Sequence, residues 1–406
     1  MVSKVTEEID VAIVGSGILG LLVAAQAARA NRKVLVFAGR EMQGTIPPRD
    51  SQRNHKWLQS GLLYAPDLGI PFAMSMWDSG VKLLEYVAMN RPPGTGIFRF
   101  ATNGDDADQF AELAKKCRLD HQTQVMRDSD ARNLLGPLYG DNYRYYRVPD
   151  VPFPEQELME RLCKRARAAG TQFVIDNVRL ERTTNGGVKI LTGDRSFLPD
   201  TTVLCAGCGT VELLGQLGVV APIKVFRSPL LRLYGAASLG SASQVRADLL
   251  VDRTTGLAVV KSRLRDSQQP CLIVGDRARL ELTGNEAHRR EVTSKERRDL
   301  MNLLPPTMQT WFTDVGTTAG HKTEIIDDSG NPSVRPWVYR FDCDGLSRLI
   351  AALPGKATLA FQVAKTVMDF FPESGGSASP NAPAVDGPEP DFRHHIEFRN
   401  IDENKE

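Results

Sequence analysis

The first apolar stretch of the chain specifies a strand, a tight turn and a helix. Ile9-Asp10-Val11-Ala12-Ile13-Val14 is a short, largely β-branched run, glycines follow at 15, 17 and 20, and Leu19 to Ala30 is dominated by helix formers. Lys33-Val34-Leu35-Val36-Phe37 then supplies a second buried strand, which closes a βαβ unit of about 30 residues. A right-handed crossover makes its two strands parallel.

The pattern changes further along. From Gln43 to Leu68 it is irregular and polar, with Pro47-Pro48 and Ser51-Gln52-Arg53-Asn54-His55, so a long functional loop is predicted. Trp77 to Met89 and Asp105 to Cys117 read as helices on either side of a short strand, Phe98-Arg99-Phe100. Pro154 to Ala169 carries Leu158, Leu162 and Ala166 on one face and runs from a proline to Gly170, the usual order of helix start and stop signals. Strands are predicted at 172–176, 187–191 and 202–205. From about 222 to 345, short apolar runs alternate with turns: Pro229 to Tyr234, Leu249 to Val251, Leu257 to Lys261, Cys271 to Val274 and Val338 to Phe341. That alternation suits a mostly antiparallel sheet. Ser347 to Leu353 is apolar again, and Lys356 to Phe371 has the helical stripe Leu359, Val363, Val367 and Phe370. Beyond Pro372, Gly, Ser, Pro and acidic residues take over, and 373–406 is predicted to be a disordered tail.

With 406 residues the chain suits two interleaved domains, and 42% hydrophobic with 24% charged content excludes collagen-like, wholly disordered and membrane-spanning classes. Fifty basic against 49 acidic residues give a net charge of +1, which offers no electrostatic reason to expect nucleic acid or an anionic membrane as partner. The stretch from Ile9 to Ala30 is broken by three glycines and lacks a small-residue cleavage site, so neither a signal peptide nor a membrane span is expected there. The six cysteines are then expected to be reduced thiols of a cytoplasmic protein. Cys205-Ala206-Gly207-Cys208 matches a redox or zinc half-site, but no second pair stands at metal-site spacing.

Gly15-Ser16-Gly17-Ile18-Leu19-Gly20 is G-x-G-x-x-G between a strand and a helix, the dinucleotide fingerprint. Gly15 permits the turn, Gly17 lets backbone approach a pyrophosphate, and Gly20 lets helix and strand pack closely. The phosphates would lie at the helix N-terminus, where N–H groups lack acceptors and the dipole favours anions. The acidic residue expected at the end of the second strand is absent: Ala38, Gly39 and Arg40 stand there, with Glu41 slightly too late. An arginine after a missing acid can accommodate a 2′-phosphate, so an NADP-dependent oxidoreductase is an alternative. No G-x-S-x-G, H-E-x-x-H or P-loop is present, which removes the commonest hydrolase and NTPase readings.

Several separated segments resemble, in order, the D-amino acid oxidase (DAO) superfamily of FAD-dependent oxidoreductases. Ser51-Gln52-Arg53-Asn54 through Gln59-Ser60-Gly61-Leu62-Leu63-Tyr64 is similar to the flavin-wrapping loop of the L-2-hydroxyglutarate dehydrogenase and glycine oxidase branch. Pro154-Glu155 through Gly170 resembles the helix before the adenine-side strand, which implies Val178 near the adenine. Thr202 to Cys208 is similar to the family's V-L-A-A-G strand and turn, Pro222 to Arg227 to the entry into the substrate sheet, and Ala352-Leu353-Pro354-Gly355-Lys356-Ala357-Thr358 to the last strand, glycine turn and helix.

The resemblance implies an α/β fold: a Rossmann-like FAD-binding domain (1–80, 151–221 and 346–372) interleaved with a substrate domain on a mostly antiparallel sheet (81–150 and 222–345). It implies oxidation of a small amine, amino acid or 2-hydroxy acid by hydride transfer to flavin N5, with reoxidation by oxygen or another acceptor. Gly15, Ser16, Gly17, Ile18, Leu19, Gly20, Ala38, Gly39, Arg40, Arg53, Asn54, Gln59, Ser60, Gly61, Val178, Ala206, Gly207, Gly355, Lys356, Ala357 and Thr358 are the implied cofactor residues. Gln59 stands where many relatives carry histidine, so the FAD is expected to be noncovalent. Lys356, where ammonium and helix dipole act together, is the candidate for the flavin's pyrimidine end. His55, Lys56, Gln59, His321, Lys322 and Arg340 are the catalytic candidates, His55, Lys56 and His321 as base-like groups, the histidines titrating near neutrality, and Lys322 and Arg340 as clamps for a substrate carboxylate. Arg227 and Arg335 are further clamp candidates. The vicinal His394-His395 in the tail is read as solvated. Ala38, Gln59 and the shortened Cys343-Asp344-Gly345-Leu346-Ser347 also permit a catalytically degenerate flavin-binding subunit that assembles with a protein partner.

Overall fold

The computed structural model describes residues 6–39, 57–92, 94–103, 106–193, 195–234, 244–263, 270–277, 280–282, 291–310, 314–341 and 346–371. The βαβ unit forms where its apolar pattern demands. Thr6–Val14 pairs in parallel with Val34–Ala38, joined by the helix Ile18–Arg29. Ten of that helix's twelve residues are buried, because it is apolar all round and covered on every side.

Thr6–Val14 is central to an eight-stranded sheet. Ser196–Leu204 and then Leu349–Leu353 add in parallel on one side, and Gln172–Ile175 adds in parallel beyond Val34–Ala38 on the other. The helices Ile18–Arg29, Glu155–Ala168 and Ala360–Asp369 contribute Leu22, Leu162 and Val363 to one apolar core. A second core holds Phe37, Phe197, Leu214, Trp337 and Tyr339. Removing a side chain such as Leu22, with no exposed surface, costs about 2–5 kcal/mol in such settings.

The second sheet has ten strands and is antiparallel except where Leu249–Asp252 runs parallel to Gly96–Ala101. Its longest pairing joins Ile223–Tyr234 to Asp314–Ile326. Val338 to Phe341 was expected here, but Trp337–Arg340 pairs antiparallel with Leu349–Leu353 on the edge of the first sheet. The reason is apolar: Trp337, Tyr339 and Phe341 pack together into the core under that sheet. Two other boundaries differ. The helix expected from Trp77 begins at Ile70, with Pro71 in its first turn, and the strand Arg179–Arg182 is hidden in sequence by its charged residues. No described helix is long and apolar enough to cross a membrane. The expected tail, with His394-His395, lies outside the described residues.

Candidate active site

A cleft of about 1130 Å³ opens at the carboxyl ends of the parallel strands and runs to the face of the second sheet. The chain's turns converge on it. Gly15, Ser16, Gly17, Ile18 and Leu19 line it from the fingerprint, Gly39 and Val178 from the next two strand ends, and Ala206, Gly207, Gly355, Lys356, Ala357 and Thr358 from the last two. Gln59, His321 and Lys322 also reach it. Gly20, Ala38, Ser60 and Gly61 stand behind the wall instead. Arg40, Arg53, Asn54, His55 and Lys56 lie outside the described residues.

Arg340 is exposed on the edge strand Trp337–Arg340 of the first sheet and does not line the cleft. Arg335 does not line the cleft either. Arg227 is 1% exposed and its guanidinium is engaged by Glu296 and the Glu291 carbonyl oxygen, where it secures the helix Ser294–Asn302.

The fingerprint turn fits a bound pyrophosphate. A Cβ on Gly15, whose φ is +111°, would stand 2.3 Å from the Cys205 carbonyl oxygen, and one on Gly20 would stand 1.9 Å from the Gly15 carbonyl oxygen. These two glycines hold strand and helix together. Gly17 is different: a Cβ there meets no protein atom within 4 Å. The helix it starts has no side-chain cap and no acid in its first turn, which leaves its amino end for an anion. Ala38 is buried and brings no acid, yet Asp176, at the end of the adjacent strand, lines the same rim and donates its N–H to the Ala38 carbonyl oxygen at 2.9 Å.

Between the two sheets the cleft is polar and aromatic. The Gln59 amide donates to the Tyr64 hydroxyl at 3.3 Å, the Gln59 backbone N–H to Thr358 Oγ1 at 3.4 Å, and the Lys356 ammonium sits 5.3 Å from the centre of the Tyr64 ring. Close to Tyr64 lies Arg253, which sequence reasoning missed. Its guanidinium donates to the Leu63 carbonyl oxygen at 3.1 Å, and among the described residues no carboxylate lies within ion-pair distance. Burial and then the neighbouring Arg277 hold its pKa below the ordinary arginine value, against the opposing pull of the more distant carboxylates of Asp67 and Asp106. Asp252-Arg253-Thr254-Thr255-Gly256 between two apolar runs was a legible turn. That its arginine enters the cleft was not legible. Trp57, Phe153 and Asp176 were missed as well, and Tyr64 was read only as the end of the flavin-wrapping loop.

Cys205 and Cys208 both line the cleft, but burial pushes the Cys205 thiol up to about 12, so it stays protonated. No group of metal-binding side chains occurs among the described residues.

Behind Gln59, fully buried Asp150 accepts from the backbone N–H and the hydroxyl of Ser60, while its Oδ2 has no partner. Burial pushes this carboxyl from 3.8 to about 6, against the opposing effects of Ser60 and Arg91. A raised carboxyl contributes stability that is complete below its unfolded value and is lost as pH rises through the folded one. Between pH 4 and pH 8 the wild type should therefore lose about 2 kcal/mol relative to Asp150→Asn, measured by urea denaturation at each pH. Parallel stability curves for the two proteins would refute this assignment.

The family model described as FAD dependent oxidoreductase matches residues 10–345. No curated protein matches the chain in sequence. Among solved structures, glycine oxidase from Geobacillus kaustophilus is 16% identical, with 90% of this chain and 94% of that one covered and a TM-score of 0.66. L-α-glycerophosphate oxidase from Mycoplasma pneumoniae, solved with FAD bound, is 14% identical, with 89% and 94% covered and a TM-score of 0.67. NikD, an unusual amino acid oxidase essential for nikkomycin biosynthesis, is 15% identical in its open form at 1.9 Å, with 88% and 93% covered and a TM-score of 0.65. At these identities the likeness is one of fold.

Proposed function

The chain belongs to the DAO family of FAD-dependent oxidoreductases, and on that footing we propose that it oxidises a small amino acid or 2-hydroxy acid whose carboxylate is held by Arg253. The family assignment decides for FAD over NADP. The observation that carries the substrate reading is the Arg253 guanidinium, half-buried in the cofactor cleft without a carboxylate at ion-pair distance among the described residues. A desolvated cation in that position favours an anionic ligand, and a guanidinium matches a carboxylate in two parallel hydrogen bonds.

Bound FAD supplies the two-electron chemistry. The chain's own residues bind and orient. The fingerprint helix end would hold the pyrophosphate, and Lys356 would hold positive charge near the flavin, where electron density builds up on reduction. Arg253, anchored at the Leu63 carbonyl oxygen, fixes the substrate by its carboxylate. His321, 5% exposed and lining the cleft, is the candidate to receive the amine or hydroxyl proton on an imidazole nitrogen. Gln59 offers no nucleophilic atom for a covalent link to flavin, which supports noncovalent binding.

The test is anaerobic mixing of the purified holoprotein with paired compounds: amino acids and their decarboxylated amines, 2-hydroxy acids and their simple alcohols. At least one carboxylate-bearing member should bleach the flavin absorbance, and its partner should do so on the order of 100-fold less efficiently. Bleaching by decarboxylated amines alone would overturn the clamp.

A further inference from the structure

Arg99 and Asp252 form an ion pair at 2.8 Å with their side chains 10% and 0% exposed. They sit side by side in the parallel pairing of Gly96–Ala101 with Leu249–Asp252. The guanidinium also donates to the Leu138 carbonyl oxygen at 2.6 Å and lies 4.3 Å from the centre of the Tyr143 ring. As a source of stability such a pair is a poor choice, because desolvating two charges offsets most of their attraction and apolar side chains of similar volume often do as well. Its location suggests another use.

Arg99 and the turn that follows Asp252 together take up both oxygens of its carboxylate. Oδ1 accepts from the N–H groups of Thr254 at 2.8 Å and Thr255 at 3.3 Å, and Oδ2 accepts from the Thr255 hydroxyl at 2.7 Å besides Arg99. The Asp252 backbone closes the same turn, donating to the Leu257 carbonyl oxygen at 2.8 Å and accepting from the Gly256 N–H at 2.9 Å. Inside it lies Arg253, whose own N–H donates to the Arg99 carbonyl oxygen at 3.0 Å. The residue that enters the cleft is thus held at its backbone by Arg99 and framed by the carboxylate that Arg99 neutralises.

We infer that Arg99 and Asp252 are positioning residues for substrate selection: they hold the 252–257 turn so that the Arg253 guanidinium meets a carboxylate at a fixed place in the cleft. The inference rests on the reading of Arg253 as the carboxylate site. An arginine free to rotate would lose rotamer entropy on each binding event, whereas one fixed at its backbone and at the Leu63 carbonyl oxygen is organised in advance.

The test uses the FAD-loaded protein and two small probes, acetate and its uncharged isostere acetamide, each titrated by its perturbation of the flavin's visible spectrum. The wild type should bind acetate more tightly than acetamide. In Arg99→Met/Asp252→Leu, which removes both charges together and leaves neither unpaired, that preference should fall by about tenfold. Acetamide binding and FAD retention should stay as in the wild type, which a merely structural role would not predict. An undiminished acetate preference in the FAD-loaded double variant would overturn the inference. If the double variant does not retain FAD, Thr255→Val decides: it removes one hydrogen bond to Asp252 and should lower the preference about threefold, and no change would overturn the inference. A wild type without acetate preference, or an Arg253→Met variant that keeps it, would instead overturn the underlying reading of Arg253.

Discussion

Gly17→Val is expected to give a folded protein that no longer retains FAD. Gly17 has φ of −68°, which any residue adopts, so glycine is not required there by backbone conformation. Its substitution also meets no protein atom, since a Cβ at this position has nothing within 4 Å. What the side chain would fill is the space in front of the helix N-terminus, where the pyrophosphate approaches. FAD affinity of the apoprotein should drop by at least about 100-fold, with thermal stability of the apoprotein within about 0.5 kcal/mol of wild type. Gly20→Val should behave oppositely. Its Cβ would lie 1.9 Å from the Gly15 carbonyl oxygen, so strand and helix must part, at a cost of about 1–3 kcal/mol or more before any cofactor is added. Fluorescence titration with FAD beside a melting curve separates the two. A Gly17→Val protein that binds FAD as tightly as wild type would contradict this account of the fingerprint.

Arg253→Met should reduce the efficiency of flavin reduction by a carboxylate-bearing substrate about 10²–10³-fold, the scale set by losing a charge-assisted bidentate contact in a desolvated site. Methionine keeps most of the stem's apolar volume, so the fold should survive. The loss should fall mainly on substrate binding, because the carboxylate is held equally before and during reaction. Stopped-flow reduction at varied substrate concentration resolves this. A reduced limiting rate with unchanged apparent affinity would assign Arg253 to the chemistry instead.

The residues that organise the first sheet were legible because local patterns carry them. The run Ile9 to Val14, the glycines at 15, 17 and 20 and the apolar helix each demand one structure, and the helix expected from Leu19 is found at Ile18–Arg29. The cofactor-lining turns after Leu204 and Leu353 were legible through resemblance, as a glycine turn alone names no partner. Pairings across long sequence separations were not. Val338 to Phe341 alternates as any strand does, and nothing local says which sheet it will join. Arg253 reads as an ordinary turn residue until Arg99, 153 residues before Asp252, is seen to pair with that aspartate. Asp150 acquires its perturbed carboxyl only because Ser60, 90 residues earlier, is folded against it.

The central claim, a noncovalently bound FAD in the cleft, is tested most directly by the visible spectrum of the purified protein before and after acid precipitation. Flavin absorbance that passes wholly into the supernatant, with the released nucleotide migrating as FAD, is the predicted result. A colourless protein that takes up no added FAD would contradict it.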